Sequence, residues 1–126
     1  FITVGQIKSN NIRVKLLKKL ISIGYILPVI KSPLAYVSQH SSICDGTIIM
    51  HHVLVTANVR IGKNCIINSK ALIEHDCVIK DNCHISTGAI LNGGVIVEDN
   101  TFFGSNATSK ENICIYGFTR AGELRK

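Results

Sequence analysis

The chain is poor in aromatic residues and has no long apolar run. Aromatic side chains make up 6% of its 126 residues, tryptophan is absent, and there are only two prolines and one methionine. No stretch approaches the ~18 consecutive apolar residues of a membrane helix, and no signal-peptide pattern opens the sequence. We therefore expect a cytoplasmic protein without a membrane partner, and a core that does not depend on aromatic rings.

Acidic residues are also scarce, since 8 Asp and Glu stand against 14 Lys and Arg for a net charge of +6. The basic excess lies near Lys15 and again around Arg120, and it is not interleaved with aromatic side chains. A nucleic-acid partner is therefore not expected. A phosphate-bearing small molecule would suit the same charge equally well, so charge alone selects no partner.

In place of these features the chain has a repeat of period six. Twelve consecutive positions, stepping by six from Val37 to Phe103, are aliphatic or aromatic, and the twelve positions four residues beyond them, from Ser41 to Ala107, are small or β-branched. This period fits neither an α-helix nor an alternating strand, but it is typical of a short strand plus a corner in a β-helix. The sequence therefore predicts an all-β parallel β-helix with about four coils of 18 residues.

The chain is expected to divide into three segments: the β-helix and one segment on either side of it. In residues 1–33, a strand at Phe1–Gly5, a helix from Asn11 with an apolar face, and a strand at Ile26–Ile30 suggest the end of a small α/β nucleotide-binding domain. Because the chain begins with Phe1, a longer protein is expected. Residues 34–108 form the β-helix. Ser109 breaks the aliphatic step, so residues 109–126 are predicted to be an irregular tail.

The helix is expected to end at Gly24. Its predicted apolar face consists of Ile12, Leu16, Leu17, Leu20 and Ile23. Its lysines are interpreted as a solvated face rather than a ligand site.

The densest group of reactive side chains lies in the stretch IEHDCVIKDNCHI, residues 73–85. Five cysteines without a secretory context do not indicate a disulfide framework. In the six-residue register Cys77 and Cys83 fall on the small-residue track, as does Cys65, so we interpret them as corner fillers rather than metal ligands. What remains is His75 with Asp76 at an outward corner.

Gly93 follows His75 by 18 residues, which is one coil, so its backbone is expected to lie about one strand spacing away. A base, a carboxylate and a bare amide suit acyl transfer. His75 would accept a proton from the attacking group, Asp76 or Glu74 would orient the imidazole, and the Gly93 N–H would stabilise the oxyanion. Asn68 and Ser86, also one coil apart, are expected near the same region as substrate-binding residues.

The run from Asn68 to Cys77, followed by His84, Ser86, Gly88-Ala89 and Gly93-Gly94, resembles the hexapeptide-repeat sugar acetyltransferases of the sialic-acid O-acetyltransferase (NeuD) type. The resemblance extends to acetyltransferases that act on nucleotide-linked amino sugars. It implies a left-handed β-helix, a homotrimer with sites between neighbouring prisms, and acetyl-CoA as co-substrate without a metal. It also implies that residues 1–33 come from a nucleotide-sugar-binding domain.

The same resemblance assigns residue roles. His75 is the general base and Asp76 enhances its basicity. His84 and Ser105 contact acetyl-CoA, beside the Gly93 amide.

Two other classes of function stay open. A truncated pseudoenzyme or a structural trimeric β-helix module is one, because the substrate loop and the last coils depart from the family pattern. A zinc enzyme is the other, resembling the β-helical carbonic anhydrases that use three histidines across a trimer interface, with His51, His75 and His84 as ligands. Interpretations without a functional role also remain. They make His75 an exposed corner residue, Glu74 a solvated strand residue, His51-His52 a corner pair and His40 a surface residue.

Overall fold

The computed structural model describes residues 1–126 as one helix followed by 17 strands of two residues each. Helix α1 spans Asn11–Ile23, and with 13 residues it is too short to cross a membrane. The strands are β1 (Ile30–Lys31), β2 (Tyr36–Val37), β3 (Ser42–Ile43), β4 (Ile48–Ile49), β5 (Leu54–Val55), β6 (Arg60–Ile61), β7 (Ile66–Ile67), β8 (Leu72–Ile73), β9 (Val78–Ile79), β10 (His84–Ile85), β11 (Ile90–Leu91), β12 (Ile96–Val97), β13 (Phe102–Phe103), β14 (Thr108–Ser109), β15 (Cys114–Ile115), β16 (Phe118–Thr119) and β17 (Leu124–Arg125).

Every third strand joins the same parallel sheet, so the chain winds as a three-sided prism. The first sheet has the order β1-β4-β7-β10-β13-β16, the second β2-β5-β8-β11-β14-β17, and the third β3-β6-β9-β12-β15. We call the turns that follow the strands of each sheet the first, second and third corners. The predicted all-β parallel β-helix is confirmed, and the arrangement is consistent with left-handed winding. The coil count is about five rather than the expected four.

Both tracks of the six-residue pattern are buried, which is why the pattern predicts the fold. Ile49, Ile67, Ile85 and Phe103 stack along the inside of the first sheet, and each is at most 1% exposed. Together with the small residues at the corners, the inward residues form one apolar cluster of 20 side chains. Each coil therefore buries its side chains against the coils before and after it.

Hydroxyl and thiol side chains on the small-residue track donate a recurring hydrogen bond to a backbone carbonyl. The Ser41 hydroxyl donates to the Thr56 carbonyl at 2.6 Å, and the Cys65 thiol donates to the Lys80 carbonyl at 3.1 Å. The same bond, to a carbonyl 15 residues further on, is made by Thr47, Cys77 and Cys83. Burial raises the pKa of Cys77 to about 11, and all five cysteines are free. The buried cysteines therefore act as corner residues in the thiol form.

From Gly46 to Asn112 each corner contains one residue with a left-handed backbone, and these residues recur every six positions. Asparagine and glycine tolerate this conformation best, and asparagine fills six of the positions. The members are Gly46, His52, Asn58, Asn64, Lys70, Asp76, Asn82, Gly88, Gly94, Asn100, Asn106 and Asn112. Asp76 thus has an architectural place as well as a reactive side chain.

The first thirty residues depart from several expectations. No strand forms at Phe1–Gly5, and within 26–30 only Ile30 is in a strand. Because β1 pairs with β4 in the first sheet, the coils begin at about Ile30 rather than at residue 34. Helix α1 ends as expected at Gly24, which has a φ of 99°. The origin of residues 1–33 in a nucleotide-sugar-binding domain stays a prediction.

The predicted apolar face of α1 is only partly buried, because its three leucines are half-buried while its two isoleucines are exposed. Ile12 and Ile23 are 65% and 60% exposed, and the buried residue of the helix is Arg13. Its guanidinium donates to the backbone carbonyls of Ile2 and Val4 and to the side-chain carbonyl of Asn64 at 2.8 Å. A buried polar anchor, beside a half-buried apolar face, therefore docks the N-terminal segment on the β-helix.

Residues 109–126 are not the irregular tail that the sequence predicts. β15, β16 and β17 continue the three sheets, but Phe102 pairs with Phe118 and Thr108 pairs with Leu124, so the offset falls from 18 to 16 residues. The turn between β15 and β16 consists only of Tyr116 and Gly117. A corner two residues shorter moves the pattern out of phase without ending it, which is why the six-residue step fails there.

Candidate active site

His75 and Asp76 lie side by side in the second corner, between β8 and β9. The His75 Nδ1 is 2.8 Å from the Asp76 Oδ2, and both side chains are more than half exposed. Because an ionised carboxylate can only accept hydrogen bonds, the His75 Nδ1 carries a proton and donates a hydrogen bond to Asp76. In the neutral imidazole the Nε2 is then the free basic nitrogen. The pair therefore presents a proton acceptor at the surface of the prism.

A second hydrogen-bond partner of Asp76 lies in the preceding coil. The Asn58 side-chain amide donates to the Asp76 Oδ1 at 2.6 Å. The hydrogen bond from His75, and then that from Asn58, lower the pKa of Asp76 below its ordinary value. Asp76 is thus a carboxylate at neutral pH, with each of its oxygens bonded to a different neighbour.

Gly93 lies opposite His75 in the next coil, as the 18-residue offset predicts. A Cβ atom at Gly93 would lie 2.7 Å from the His75 Cε1 and 2.8 Å from its Nε2, so a side chain there would displace the imidazole. The Gly93 N–H has no hydrogen-bond partner in the chain. At the third corner, by contrast, the amides of Lys63 and Asp81 are capped by aspartate side chains of the following coil. Gly93 therefore offers an uncapped amide beside the base.

The strand ladder changes at the residue before this glycine. In earlier coils the backbone N–H at the equivalent position donates to a strand carbonyl of the following coil, as Glu74 does to Leu91 at 2.9 Å. The backbone N–H of Asn92 instead donates to the Ser109 hydroxyl at 2.9 Å. The side-chain amide of Asn92 donates to the Ser109 carbonyl at 2.6 Å. Ser109, which breaks the aliphatic step of the sequence, thus braces the turn that carries Gly93.

His84 is buried on the outer side of the first sheet. Its Nδ1 lies 2.6 Å from the Gln6 carbonyl, which can only accept, so this nitrogen carries a proton. Burial lowers the pKa of His84, and the charge of Arg13 adds to this, although the bond to Gln6 opposes it. The neutral ring therefore accepts from the Asn68 amide at its Nε2, 3.3 Å away.

Except for Glu74, the remaining predicted site residues are close to His84 rather than to His75. Asn68, Ser86 and Ser105 all lie at the first corner, where the Ser86 and Ser105 hydroxyls are 2.8 Å apart. Asn68 and Ser86, which were expected near the region of His75, follow first-sheet strands and so lie at a different corner of the same chain. Glu74 lies beside His75 and makes no side-chain hydrogen bond. One chain thus holds two groups: Glu74, His75, Asp76 and Gly93 at the second corner, and Asn68, His84, Ser86 and Ser105 around the first.

A cleft of about 360 Å³ adjoins the second of these groups. It lies between the N-terminal segment and the first sheet, and Arg13, Asn68 and His84 supply its polar lining. No set of three or more His, Cys, Asp or Glu side chains is placed to hold a metal ion. Within one chain His51 and His75 lie at different corners, and both ring nitrogens of His84 already have hydrogen-bond partners.

Three residues of the sites were not proposed from the sequence. Asn58 could have been found, because it precedes Asp76 by the same 18 residues that separate His75 from Gly93. Ser109 was visible only as a break in the pattern. Gln6 carries no signal, since its contact with His84 depends on how the N-terminal segment folds back.

The repeat, the prism and the corner site together define a hexapeptide-type β-helix, and the comparisons with known proteins agree. The model of the bacterial transferase hexapeptide family, with six repeats, matches residues 40–75 and 76–108. The chain belongs to this family. No match is found among curated protein sequences.

Two solved proteins are similar over nearly the whole chain. A variant of perosamine N-acetyltransferase from Caulobacter crescentus, in complex with CoA and GDP-perosamine, is 31% identical, with a TM-score of 0.90 over 94% of this chain. The acetyltransferase domain of PglB from Neisseria gonorrhoeae in complex with acetyl coenzyme A is 29% identical, with a TM-score of 0.88 over 92%. The chain spans 57% and 58% of the length of these two proteins.

Proposed function

We propose that the chain carries the acyltransferase part of an acetyl-CoA-dependent sugar acetyltransferase, in which His75 is the general base. One observation carries the proposal: a histidine, tautomerically fixed by Asp76 at 2.8 Å, faces an uncapped glycine amide. The similarity to two acetyltransferases solved with CoA or acetyl-CoA supports the choice of acyl donor.

In this proposal acetyl-CoA supplies the acetyl group as a thioester. The His75 Nε2 accepts the proton of the sugar amine or hydroxyl while that atom bonds to the acetyl carbonyl carbon. The Gly93 N–H stabilises the negative charge that develops on the carbonyl oxygen, a contribution of about 3 kcal/mol in comparable sites. When the carbon–sulfur bond breaks, the protonated His75 returns its proton to the leaving CoA sulfur.

The other assigned residues complete the site only if two subunits meet. His84 and Ser105 are proposed to contact acetyl-CoA, and Asn68 and Ser86 the sugar, yet within one chain they lie at a different corner from His75. A homotrimer, with His75 of one prism facing the first corner of its neighbour, would unite the two groups. The exposed Tyr36 and Leu54 on the second sheet offer apolar surface for such a contact.

The acceptor class is part of the proposal. A nucleotide-linked amino sugar is favoured by the N-acetyltransferase similarity, whereas the NeuD-type resemblance favours a sialic acid hydroxyl. The proposed reaction belongs to glycan biosynthesis in the cytoplasm. Glu74 is proposed as a second orienting carboxylate, although Asp76 makes the contact to His75.

The test is CoA release from acetyl-CoA with each acceptor in turn, followed with a thiol reagent. The wild type should release CoA with one acceptor, and His75→Ala should lose at least about a hundredfold in turnover. The matched control is His40→Ala, which removes an exposed histidine outside both groups. If wild type and His75→Ala are equally inactive while the oligomer stays intact, the chain is a structural module and the catalytic proposal is wrong.

A further inference from the structure

Asn58 bonds the side chain that orients the base. Its Nδ2 donates to one oxygen of Asp76 at 2.6 Å, while the other oxygen receives the His75 Nδ1–H at 2.8 Å. Asn58, Asp76 and His75 thus form a chain of two hydrogen bonds that crosses from one coil to the next. Nothing else in the structure bonds the Asp76 carboxylate.

We propose that Asn58 is a positioning residue, which fixes the rotation of the Asp76 carboxylate and through it the Nδ1–H tautomer of His75. This inference rests on the proposed function, in which the Nε2 of His75 must be free to accept a proton. Asn58 itself does not touch the reacting atoms.

The need for such an anchor follows from exposure. Asp76 and His75 are 54% and 64% exposed, so water competes for the carboxylate, and a single exposed contact of this kind contributes little. Rotation about the last bond of an aspartate side chain is also broad. A second hydrogen bond from a neighbouring coil, whose position the strand ladder fixes, removes this freedom. The two bonds together hold the imidazole toward Gly93.

An architectural role for Asn58 must be separated from a positioning role. Asn58 has a left-handed backbone with φ of 60°, as do other corner asparagines, and asparagine suits that conformation by itself. Asn112 provides the matched control: it has φ of 55°, lies at the same second corner, and its side chain makes no hydrogen bond. Replacement by glycine keeps the left-handed backbone at either position while it removes the side chain.

The experiment compares Asn58→Gly with Asn112→Gly in the full chain. We expect Asn58→Gly to lower kcat about tenfold with an unchanged KM for acetyl-CoA, because orientation rather than binding is lost. The same change should add nothing in an Asp76→Ala background, where there is no carboxylate to hold. Asn112→Gly should leave kcat unchanged, and both variants should melt at similar temperatures.

A spectroscopic readout makes the test independent of turnover. The ¹⁵N shifts of His75 should show a protonated Nδ1 in wild type and in Asn112→Gly, and a mixture of tautomers in Asn58→Gly. If Asn58→Gly matches Asn112→Gly in both kcat and the His75 shifts, the positioning role is overturned. If wild type releases no CoA with any acceptor, the proposed function fails, while the tautomer comparison still decides the role of Asn58.

Discussion

At the scale of single residues, the absence of a side chain at Gly93 leaves room for the His75 ring beside an unbonded backbone N–H. Its backbone is not in the left-handed region, so alanine would be tolerated by the main chain. The Cβ would nevertheless overlap the space of the His75 ring, 2.7 Å from Cε1. Because that ring is more than half exposed, it would be displaced toward solvent without destabilising the fold.

We therefore predict that Gly93→Ala separates activity from stability. The free energy of unfolding should change by no more than about 0.5 kcal/mol. Turnover should fall at least about tenfold, because the imidazole is pushed away from the amide. Gly5→Ala, where a Cβ would meet no atom within 4 Å, is the control. Melting curves and CoA-release rates for both variants give the answer, and normal turnover in Gly93→Ala would remove His75 or Gly93 from the site.

At the scale of strands and corners, two inward-facing polar residues behave differently. Ser109 and Thr119 occupy inward places where neighbouring coils have aliphatic or aromatic residues, and both are at most 1% exposed. The Ser109 hydroxyl bonds the Asn92 amide, whereas the Thr119 hydroxyl has no partner. A buried hydroxyl without a partner costs stability, while one with a partner has a local purpose.

Replacing each residue by valine should reveal this difference. Both Ser109→Val and Thr119→Val should raise the free energy of unfolding, by about 1 kcal/mol, because apolar groups replace buried hydroxyls. Ser109→Val should also lower turnover, since Asn92 would then return to the regular ladder bond and carry Gly93 with it. Thr119→Val should leave turnover unchanged. Denaturant titration and CoA release test both, and equal turnover in the two variants would show that Ser109 does not act on Gly93.

At the scale of the whole molecule, His84 joins the N-terminal segment to the prism. Its Nδ1–H bonds the Gln6 carbonyl, while Arg13 in the same region binds Asn64. Burial disfavours the charged ring and lowers the pKa of His84, and the charge of Arg13 adds to this although the bond to Gln6 opposes it. Docking of residues 1–13 is therefore linked to pH.

This linkage predicts a loss of stability in mild acid. The unfolded chain takes up a proton at the ordinary histidine pKa of about 6.5, while folded His84 does not until a lower pH. The stabilisation is thus fully present above pH ~6.5 and is lost as the pH falls through the folded pKa. Urea titrations between pH 7.5 and about 5 should show this slope in wild type and a smaller slope in His84→Gln. Equal slopes would show that His84 is not the group responsible.

How far the sequence predicts this molecule depends on whether the period of six applies. It places Ile73, Ile79 and Ile85 in the core, and it brings Gly93 to His75, because both follow from a constant offset. It fails at Tyr116–Gly117, where a shorter corner shifts the phase, and it says nothing of the Gln6 contact. The apolar face of α1 is predicted only in part, because its leucines are half-buried but the buried arginine beside them has no signal in the pattern.

The short corner between β15 and β16 also bears on how such a chain tolerates lost codons. Two residues fewer there leave β16 and β17 in parallel register with β13 and β14. Because each coil contacts only its neighbours, a deletion at a corner is absorbed within that corner. Loss of one residue inside a strand would instead turn every inward side chain of that strand outward. Changes in gene length are therefore expected to accumulate at the corners, where the reactive side chains of this protein also lie.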